Sequence, residues 1–398
     1  MRVLVHLNSL ELGGTQINAV DFAVAAQAHG VESILLGERG TLPAAPHLLD
    51  YARDHGVTVE VYDAAAGMRA HAAQLTALTA SFRADLIHVY GMWGAARPVF
   101  WGPARFGRVP WVQTVYEMSV TPVVLRHMPL IVGTGYLLDE LAERPGATVL
   151  VSPPVDLVRD APAVTGLPDL RTEHAIGAGP LIALVSRLDS NMKAFSISVA
   201  IDAMSRIADT GATLVVVGSG DAEDRLRTHA DAVNRTAGRD AVRMLGAMTD
   251  PRPAYAAADI VVGMGGSAAR ALAFGKPLVV LGEAGWSRIF DPESADALAR
   301  SSYWSPDSVA DPVGDLAAAL RALLADPARR RGFGAFGREF ATDRFGLPAM
   351  TRRLCDVYEG AARSYGSAEW LADVPREGRR LVEKIGRFVA RPATEEAA

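Results

Sequence analysis

Short apolar runs alternate with longer amphipathic segments from the first residues of the chain to about residue 281. Runs such as Val3–Leu7, Leu86–Tyr90 and Leu181–Val185 are rich in aliphatic and β-branched residues, which is typical of buried parallel strands. The segments between such runs predict helices, for example Pro46–His55 and Ala194–Ile207. This alternation predicts an α/β fold in which helices cover both faces of parallel sheets.

A proline-rich stretch divides the alternating pattern into two similar halves. Five prolines crowd a polar segment between residues 152 and 180, which is typical of an interdomain linker. We therefore predict an N-terminal α/β domain at residues 1–155, a linker at 156–180 and a second α/β domain at 181–346. A further helix is expected at 347–365.

One βαβ unit, Ala258–Glu283, carries a pattern suited to binding a phosphate. The apolar strand Ile260–Val262 is followed at once by glycines, and Ser267 stands where a helix N-cap is expected. Backbone amides and the positive end of the helix dipole make such a turn an anion site. The alternative is a purely structural turn between strand and helix. The glycines of this turn are Gly263, Gly265 and Gly266.

Other glycines and two cations also follow predicted strands. In parallel sheets, ligands bind at the carboxyl ends of the strands where the strand order reverses. Arg187 follows the strand Leu181–Val185, and Lys193 precedes the next helix, so both cations could bind phosphate oxygens. The alternative is a surface pair with acidic partners. Further glycines in corresponding places are Gly13, Gly14, Gly218 and Gly220.

Composition and charge mainly exclude classes of protein, such as nucleic-acid-binding and disulfide-stabilised proteins. The chain has 398 residues, 49% of them hydrophobic, and a net charge of −5, which favours a globular protein without general affinity for nucleic acid. The single cysteine, Cys355, excludes an internal disulfide framework and indicates a reducing compartment. With no signal peptide and no run of about 18 apolar residues, a cytoplasmic location is expected.

The sequence also argues against a metal cofactor. It contains no Asp-x-Asp pair, which could hold a divalent cation beside a diphosphate, and no His/Cys cluster with zinc spacing. Stabilisation of a leaving group by cations and backbone amides is the interpretation that remains. We expect no metal and no other cofactor.

Several short motifs occur together in an order and spacing that point to one enzyme family. They are Gly13-Gly14-Thr15, Leu86–Gly91, Val151–Asp156, Ser186-Arg187-Leu188 with Lys193, Val217–Gly220, Leu245-Gly246 and Ala273–Pro277. With these motifs the chain, from Met1 to about Ala362, resembles the GT-B glycosyltransferases, specifically the retaining class often called family four. The resemblance implies two doubly wound Rossmann-like domains that face a central cleft.

The resemblance also implies roles for individual residues. The Gly14 amide would approach the donor diphosphate, and Arg187 and Lys193 would neutralise it as it leaves. The helix at 347–365 would cross back to the N-terminal domain. The remaining donor contacts would be a nucleoside pocket formed by Gly218, Leu245 and Gly246, and amides supplied to the phosphate at Gly265, Gly266 and Ser267.

The chain departs from the family pattern at three places. The first of two glutamates that flank the phosphate turn in the family has no clear counterpart here. Arg270 stands where the family usually has a glutamate that binds ribose hydroxyls, and because a guanidinium cannot accept hydrogen bonds it would act differently, for instance on a phosphate. A histidine common in the family is also replaced, and Tyr116 and Glu117 are our candidates for its catalytic place. Ordinary packing is the alternative for Tyr116.

The strand Leu86–Tyr90 and the residues after it contain a histidine and an aromatic side chain for which packing roles are considered. His88 lies inside the strand Leu86–Tyr90, where a hydrogen-bonded core histidine is expected rather than a catalytic one. Met92 and Trp93 follow this strand and could form an aromatic wall for an acceptor, with packing as the alternative.

The tail at residues 366–398 is expected to form one more amphipathic helix, near Arg376–Val389, followed by a frayed end. A solvated basic face on a helix docked to the body is favoured over a membrane-surface or partner helix. The basic residues of this helix are Arg376, Arg379, Arg380, Lys384 and Arg387.

The main hypothesis is a metal-independent, retaining glycosyltransferase. It would move a sugar from a nucleotide diphosphate sugar to a small-molecule or cell-envelope acceptor, which could be lipid-linked. One alternative is a nucleotide-sugar epimerase, which would need carboxylates such as Glu11, Glu117 or Glu283 for acid–base work. The other is a nucleotide-binding homologue without catalysis, suggested by Arg270.

Overall fold

The computed structural model describes residues 1–43 and 48–389, with side chains up to residue 380. The chain forms two compact units. Unit 1 comprises residues 1–133, 137–151 and those from Thr351 onward, and unit 2 comprises residues 134–136 and 152–350. Unit 1 is therefore built from both ends of the described chain, and unit 2 lies between them in sequence.

The described part of unit 1 contains a seven-stranded parallel sheet in the order β3-β2-β1-β4-β5-β6-β7. Its centre is closed to solvent, since every residue of β4 and β5 is buried, including the polar residues His88, Gln113 and Thr114. The direction of winding reverses between β1 and β4. The strands are β1 (Arg2–His6), β2 (Glu32–Glu38), β3 (Val59–Tyr62), β4 (Leu86–Tyr90), β5 (Trp111–Val115), β6 (Leu130–Val132) and β7 (Thr148–Leu150).

Helices connect these strands as the alternating pattern predicts. The expected start of the second helix, Pro46, lies outside the described residues, and α5 was not predicted because its six residues are too short for a periodic pattern. The helices are α1 (Gly14–Ala26), α2 (Leu48–Asp54), α3 (Met68–Phe82), α4 (Ala96–Trp101) and α5 (Gly135–Glu140).

Unit 2 contains a second doubly wound sheet among its described residues, in the order β10-β9-β8-β11-β12-β13. The first five strands are parallel, and the short edge strand β13 runs antiparallel to β12. The prediction of two α/β halves is confirmed, although the pattern did not predict β13. The strands are β8 (Leu181–Val185), β9 (Thr213–Val217), β10 (Val242–Gly246), β11 (Ile260–Gly263), β12 (Leu278–Leu281) and β13 (Ser287–Ile289).

The helices of unit 2 pack on both faces of this sheet, where two apolar clusters form the core. One cluster is built around α7, α8 and α12, and the other around α9, α10 and α13. The helices are α6 (Leu170–Glu173), α7 (Ala194–Arg206), α8 (Glu223–Ala237), α9 (Arg252–Ala257), α10 (Gly266–Ala273), α11 (Ala295–Arg300), α12 (Pro312–Ala325) and α13 (Pro327–Phe345).

The stretch expected to be a linker, residues 156–180, belongs instead to unit 2. Leu170 and Ile176 are buried in its core, and Asp160 is 2% exposed. The proline-rich composition of this stretch predicted a linker, but its apolar residues pack on the sheet of unit 2.

Two C-terminal helices complete the described chain, α14 (Leu347–Ser364) and α15 (Ser367–Val389). Most of α14 and all of the described α15 belong to unit 1. α15 begins at Ser367 rather than near Arg376, and Pro375 lies inside it. The helix is anchored before the proline by Trp370, which is 3% exposed, stacks on Phe100 and donates its indole N–H to the Phe100 carbonyl at 2.8 Å.

The lengths and polarity of the helices bear on whether one of them could span a bilayer. Within residues 1–43 and 48–389, every helix is either too short or too polar to traverse one.

Candidate functional site

The carboxyl edge of unit 2 brings together the strongest candidate residues. β8 and β11 are neighbours, with Ile182 beside Ile260 and Ala183 beside Val261. The other strands extend away on either side of this pair, so the loops after β8 and β11 border the point where strand order reverses. A doubly wound sheet opens a crevice for ligands at such a point.

The loop after β8 is held by the loop after β9. The Ser186 amide donates to the Val217 carbonyl at 3.0 Å, and the Leu188 amide donates to the Ser219 carbonyl at 2.9 Å. A methyl group at Gly218 would collide with the Ser186 carbonyl oxygen, and one at Gly220 would collide with that of Leu188. These two glycines therefore allow the close backbone approach that fixes the loop carrying Arg187.

The loop after β10 joins the same layer. The Gly218 amide donates to the Gly246 carbonyl at 2.8 Å, which places Leu245 and Gly246 beside the β9 loop. Gly246 has a φ of 75°, a conformation that favours glycine. The residues predicted to line a nucleoside pocket thus lie at one edge of unit 2, and their contact with a nucleoside stays a prediction.

Arg187 is exposed at this edge. Among the described residues, its side chain has no hydrogen-bond or ion-pair partner. The turn that follows is shaped by Asp189, whose Oδ1 accepts from the backbone amides of Met192 at 2.9 Å and Lys193 at 3.2 Å. Asp189 was missed from the sequence, although an aspartate shortly before a helix start often accepts from the backbone amides that follow it.

Lys193 is the residue that caps α7, and it is partly buried. The pKa of its ammonium group is lowered to about 8, mainly by burial and also by the positive charge of Arg187, while Asp189 and Glu283 oppose the shift. The same interactions show that Glu283, after β12, lies within electrostatic range of Lys193. Its Oε2 accepts from the Trp304 indole N–H at 3.3 Å.

The glycine turn after β11 differs from the prediction in one respect. The N-cap of α10 is Gly265, with φ 58° and ψ −133°, and not Ser267. Only glycine adopts this conformation readily, so the helix starts two residues earlier than a cap at Ser267 would place it. The Ser267 hydroxyl instead lies against Gly263, where an added methyl group would collide with it.

The amides of this turn are not equivalent. The Gly265 amide donates to the Tyr303 carbonyl at 3.1 Å, so it is not available to a phosphate as the family resemblance implied. Gly266 and Ser267 are the first residues of α10, where amides lack a carbonyl partner within the helix. These two amides remain the candidates for an anion.

Arg270 is occupied by an ion pair. Its Nε donates to Oδ2 of Asp160 at 2.8 Å, and the Asp160 side chain is 3% exposed. Burial raises the pKa of the Asp160 carboxyl, and the Arg270 charge opposes this shift. The Asp160 backbone carbonyl also accepts from Arg338 at 2.7 Å. Arg270 therefore compensates a buried carboxylate, and its contact with a phosphate stays a prediction.

The corresponding edge of unit 1 carries different chemistry. Gly13 is the N-cap of α1, and Gly14 opens the helix. Gln16 is 6% exposed and donates to the Asn8 Oδ1 at 2.7 Å and to the Ser9 hydroxyl at 3.0 Å, which ties the loop after β1 to the helix. A methyl group at Gly13 would collide with the Gln16 amide oxygen, so a larger residue here would displace the Gln16 side chain.

Tyr116 and Glu117 follow β5 at the same edge of unit 1. Burial raises the pKa of the Glu117 carboxyl, and backbone amides, including that of Met92, oppose this shift. Its Oε2 is buried and has no hydrogen-bond partner among the described residues. Burial also raises the pKa of Tyr116, whose ring meets Tyr90 edge-on at 6.4 Å. Trp93, after β4, is 62% exposed.

His88 is a core residue, as predicted. It is fully buried, and its ring nitrogens lie 2.8 Å from the Tyr358 hydroxyl and 2.6 Å from the Thr114 hydroxyl. Burial lowers its pKa to about 3, so the ring is neutral at physiological pH. The interaction with Tyr358 fastens α14 to the sheet of unit 1.

Comparison with known proteins gives one family match. Residues 179–326, which hold most of unit 2, match the model described as glycosyl transferases group 1. A search of curated proteins finds no significant match.

Solved structures resemble the chain over most of its length. A glycosyltransferase from Rickettsia africae ESF-5 is 12% identical with a TM-score of 0.71, covering 91% of this chain and 99% of that chain. Anabaena HepE, solved in complex with UDP-glucose, is 16% identical with a TM-score of 0.70, covering 90% and 100%. A proposed UDP-N-acetylglucosamine 2-epimerase from Listeria monocytogenes is 12% identical with a TM-score of 0.59, covering 89% and 95%. The chain has the GT-B fold.

Proposed function

We propose that this chain, a glycosyltransferase whose residues 179–326 form a group 1 domain, takes its sugar from a uridine diphosphate sugar. The observation that carries the proposal is the switch point of unit 2. There Arg187, Lys193 and the first amides of α10 border the carboxyl ends of two neighbouring strands. The UDP-glucose bound by HepE, which has the same fold, supports uridine as the base.

The charges suit the departure of a diphosphate. When the bond between the sugar and the diphosphate breaks, negative charge grows on the phosphate oxygens. Arg187 can bind two of these oxygens at once, and Lys193 adds a point charge close by. Fixed cations and amides placed where charge develops stabilise the transition state without the cost of rearrangement. We therefore propose transfer without a metal.

We assign the acceptor to the carboxyl edge of unit 1. Trp93 is exposed there and offers an aromatic surface, and Glu117 offers a carboxyl group whose pKa is raised. The acceptor would be the hydroxyl of a small molecule or a cell-envelope component. Its oxygen would form the new bond to the sugar as its proton passes to the departing diphosphate, with retention of configuration. A cytoplasmic location fits the single cysteine of the sequence.

Nucleotide binding is the first test. We expect UDP to raise the melting temperature of the full chain more than GDP, ADP, CDP or TDP, because ligand binding to the folded state stabilises it. The UDP shift should persist in EDTA and be smaller in Arg187→Ala. The matched control is Arg235→Ala, which removes an exposed arginine of α8 and should bind UDP as the parent does. Absence of a shift with any diphosphate would refute the donor assignment.

Epimerisation of a nucleotide sugar is the second candidate. It is favoured by one observation, the proximity of the Glu283 carboxyl to Lys193, which could act together in acid–base chemistry. Incubation with UDP-N-acetylglucosamine alone separates the two activities. An epimerised sugar without any acceptor supports this candidate, whereas transfer that requires an acceptor supports the glycosyltransferase. UDP binding without either reaction would indicate an inactive homologue.

A further inference from the structure

A polar cavity lies within unit 1, between α15 and the segment at residues 122–127. Its volume is about 580 Å³. That size falls in the range of small-molecule sites. The side chains that give the cavity its charge are Arg126, His127, Arg376, Arg379 and Arg380, together with one carboxylate, Asp373.

The carboxylate of this cavity is already engaged. Asp373 is 1% exposed, and its oxygens accept from the backbone amides of Arg126 and His127, each at 3.0 Å. Its Oδ1 also lies 3.0 Å from Nδ1 of His127. Asp373 therefore fixes the 122–127 segment to α15, and it leaves most of the positive charge of the cavity uncompensated.

The arginines fall into two groups. Arg380 pairs with the buried Glu377 at 2.8 Å and donates to the Val123 carbonyl at 2.9 Å, and Arg376 donates to the Pro122 carbonyl at 2.6 Å. These contacts hold two guanidinium groups in place. Arg126 and Arg379 are exposed, and neither forms an ion pair with any described side chain.

Crowding of like charges is evident in this cluster. Burial lowers the pKa of Arg376, and the charges of Arg380 and Arg126 lower it further. The pKa of Arg144, at the rim of an adjoining cavity, is likewise lowered to about 10, mainly by burial, with Asp373 opposing the shift and Arg126 and Arg376 adding to it. A bound anion would relieve this repulsion.

We propose that this cavity is a binding site for a phosphate group, separate from the donor site of unit 2. Guanidinium groups bind phosphate oxygens bidentately, and here two are held rigidly while two others can close on a ligand. The phosphate could belong to a soluble phosphorylated compound or to a lipid headgroup, because both present the same chemistry. The proposal does not depend on the glycosyltransferase reaction.

The test uses the full chain saturated with UDP, so that the donor site is filled. Inorganic pyrophosphate is titrated by calorimetry, and in a second arm the protein is sedimented with vesicles of phosphatidylcholine containing one quarter phosphatidylglycerol. The variant is Arg126→Gln/Arg379→Gln. Its matched control is Arg352→Gln/Arg353→Gln, which removes two exposed arginines from α14 with the same change of charge.

We expect saturable binding in at least one arm, weakened about tenfold or more in the cavity variant and unchanged in the control. Binding should also weaken as salt rises, because the contacts are ionic. Pyrophosphate binding alone identifies a soluble ligand, and vesicle binding alone identifies a lipid headgroup. Equal binding by both variants, or no binding in either arm, would overturn the proposal. Unchanged melting temperatures exclude misfolding as the cause of a loss.

Discussion

The two units wind their sheets in the same way yet place different chemistry near the reversal of strand order. In both, the chain moves outward from a central strand on one side and then returns to build the other, giving β3-β2-β1-β4-β5 and β10-β9-β8-β11-β12. Unit 2 puts two cations and a helix start at the reversal. In unit 1 the helix start after β1 carries no cation, the exposed Trp93 follows β4, and Tyr116 and Glu117 follow the adjacent strand β5. Topology decides where a ligand can bind, and the loops decide which ligand it is.

Burial acts on both edges in the same physical sense. It lowers the pKa of Lys193 and raises that of Glu117, because in each case the charged form is disfavoured away from water. The nearby charges differ, however. Lys193 is influenced by Arg187, Asp189 and Glu283, whereas the shift at Glu117 is opposed only by backbone amides. Substitutions at the edge of unit 2 should therefore change turnover and its pH dependence, whereas substitution of Glu117 should change acceptor KM.

The largest effect is expected at Arg187. Replacing it with alanine removes a guanidinium from the edge where we place the leaving diphosphate, and loss of one such contact costs roughly 10²-fold in turnover. Steady-state transfer assays with UDP-glucose and other UDP-sugars measure this. Arg235→Ala should retain parental turnover. If Arg187→Ala also keeps parental turnover, unit 2 does not stabilise the leaving group in the way proposed.

The next effect concerns the pH dependence set by Lys193. Since its pKa is lowered to about 8, the ammonium loses its proton at a lower pH than an exposed lysine would. At pH 9 about a tenth of the population is still charged, so kcat/KM should fall about tenfold between pH 7 and pH 9.

Lys193→Arg provides the control for that profile. Arginine keeps its charge across this range, so the decline above pH 8 should disappear even if the overall rate is lower. The measurement is a pH series of kcat/KM for both proteins. An identical decline in the variant would assign the titration to another group.

The smallest effect is expected in unit 1. Glu117→Gln preserves the size of the side chain and one acceptor oxygen, so acceptor KM should rise by roughly three- to tenfold, as for loss of one net hydrogen bond. UDP affinity should not change. A variant that loses UDP affinity instead, with acceptor KM unaltered, would contradict the division of roles between the two units.

Much of the fold can be predicted from the sequence because it depends on local apolar patterns. The strands around Leu86–Tyr90 and Leu181–Val185 are short apolar runs, and the structure has both with those bounds. The βαβ unit around Gly265 is likewise where the glycines predicted it. These features follow from the spacing of apolar residues and glycines along the chain, which can be seen in one sequence alone.

What could not be predicted depends on contacts distant in sequence or on backbone conformation. The pair between Arg270 and Asp160 joins residues 110 positions apart, and nothing local identifies Asp160 as its partner. A serine after glycines favoured a cap at Ser267, but the unusual φ and ψ of Gly265 decide the helix start. The helix expected near Arg376 begins at Ser367, because buried Trp370 anchors it before Pro375 and the contacts of Glu377 and Arg380 anchor it after.

The path of α14 has a practical consequence for engineering. This helix starts in unit 2 at Leu347 and continues in unit 1 from Thr351, so unit 2, apart from residues 134–136, is a single internal segment of the chain, 152–350. A chimera that exchanges unit 2, the unit to which we assign the sugar donor, between proteins of this fold should replace that internal segment alone. Exchanging everything after residue 151 would also replace α14 and α15. Unit 1 would then lose the contacts that Tyr358 and Trp370 make with its sheet and with Phe100.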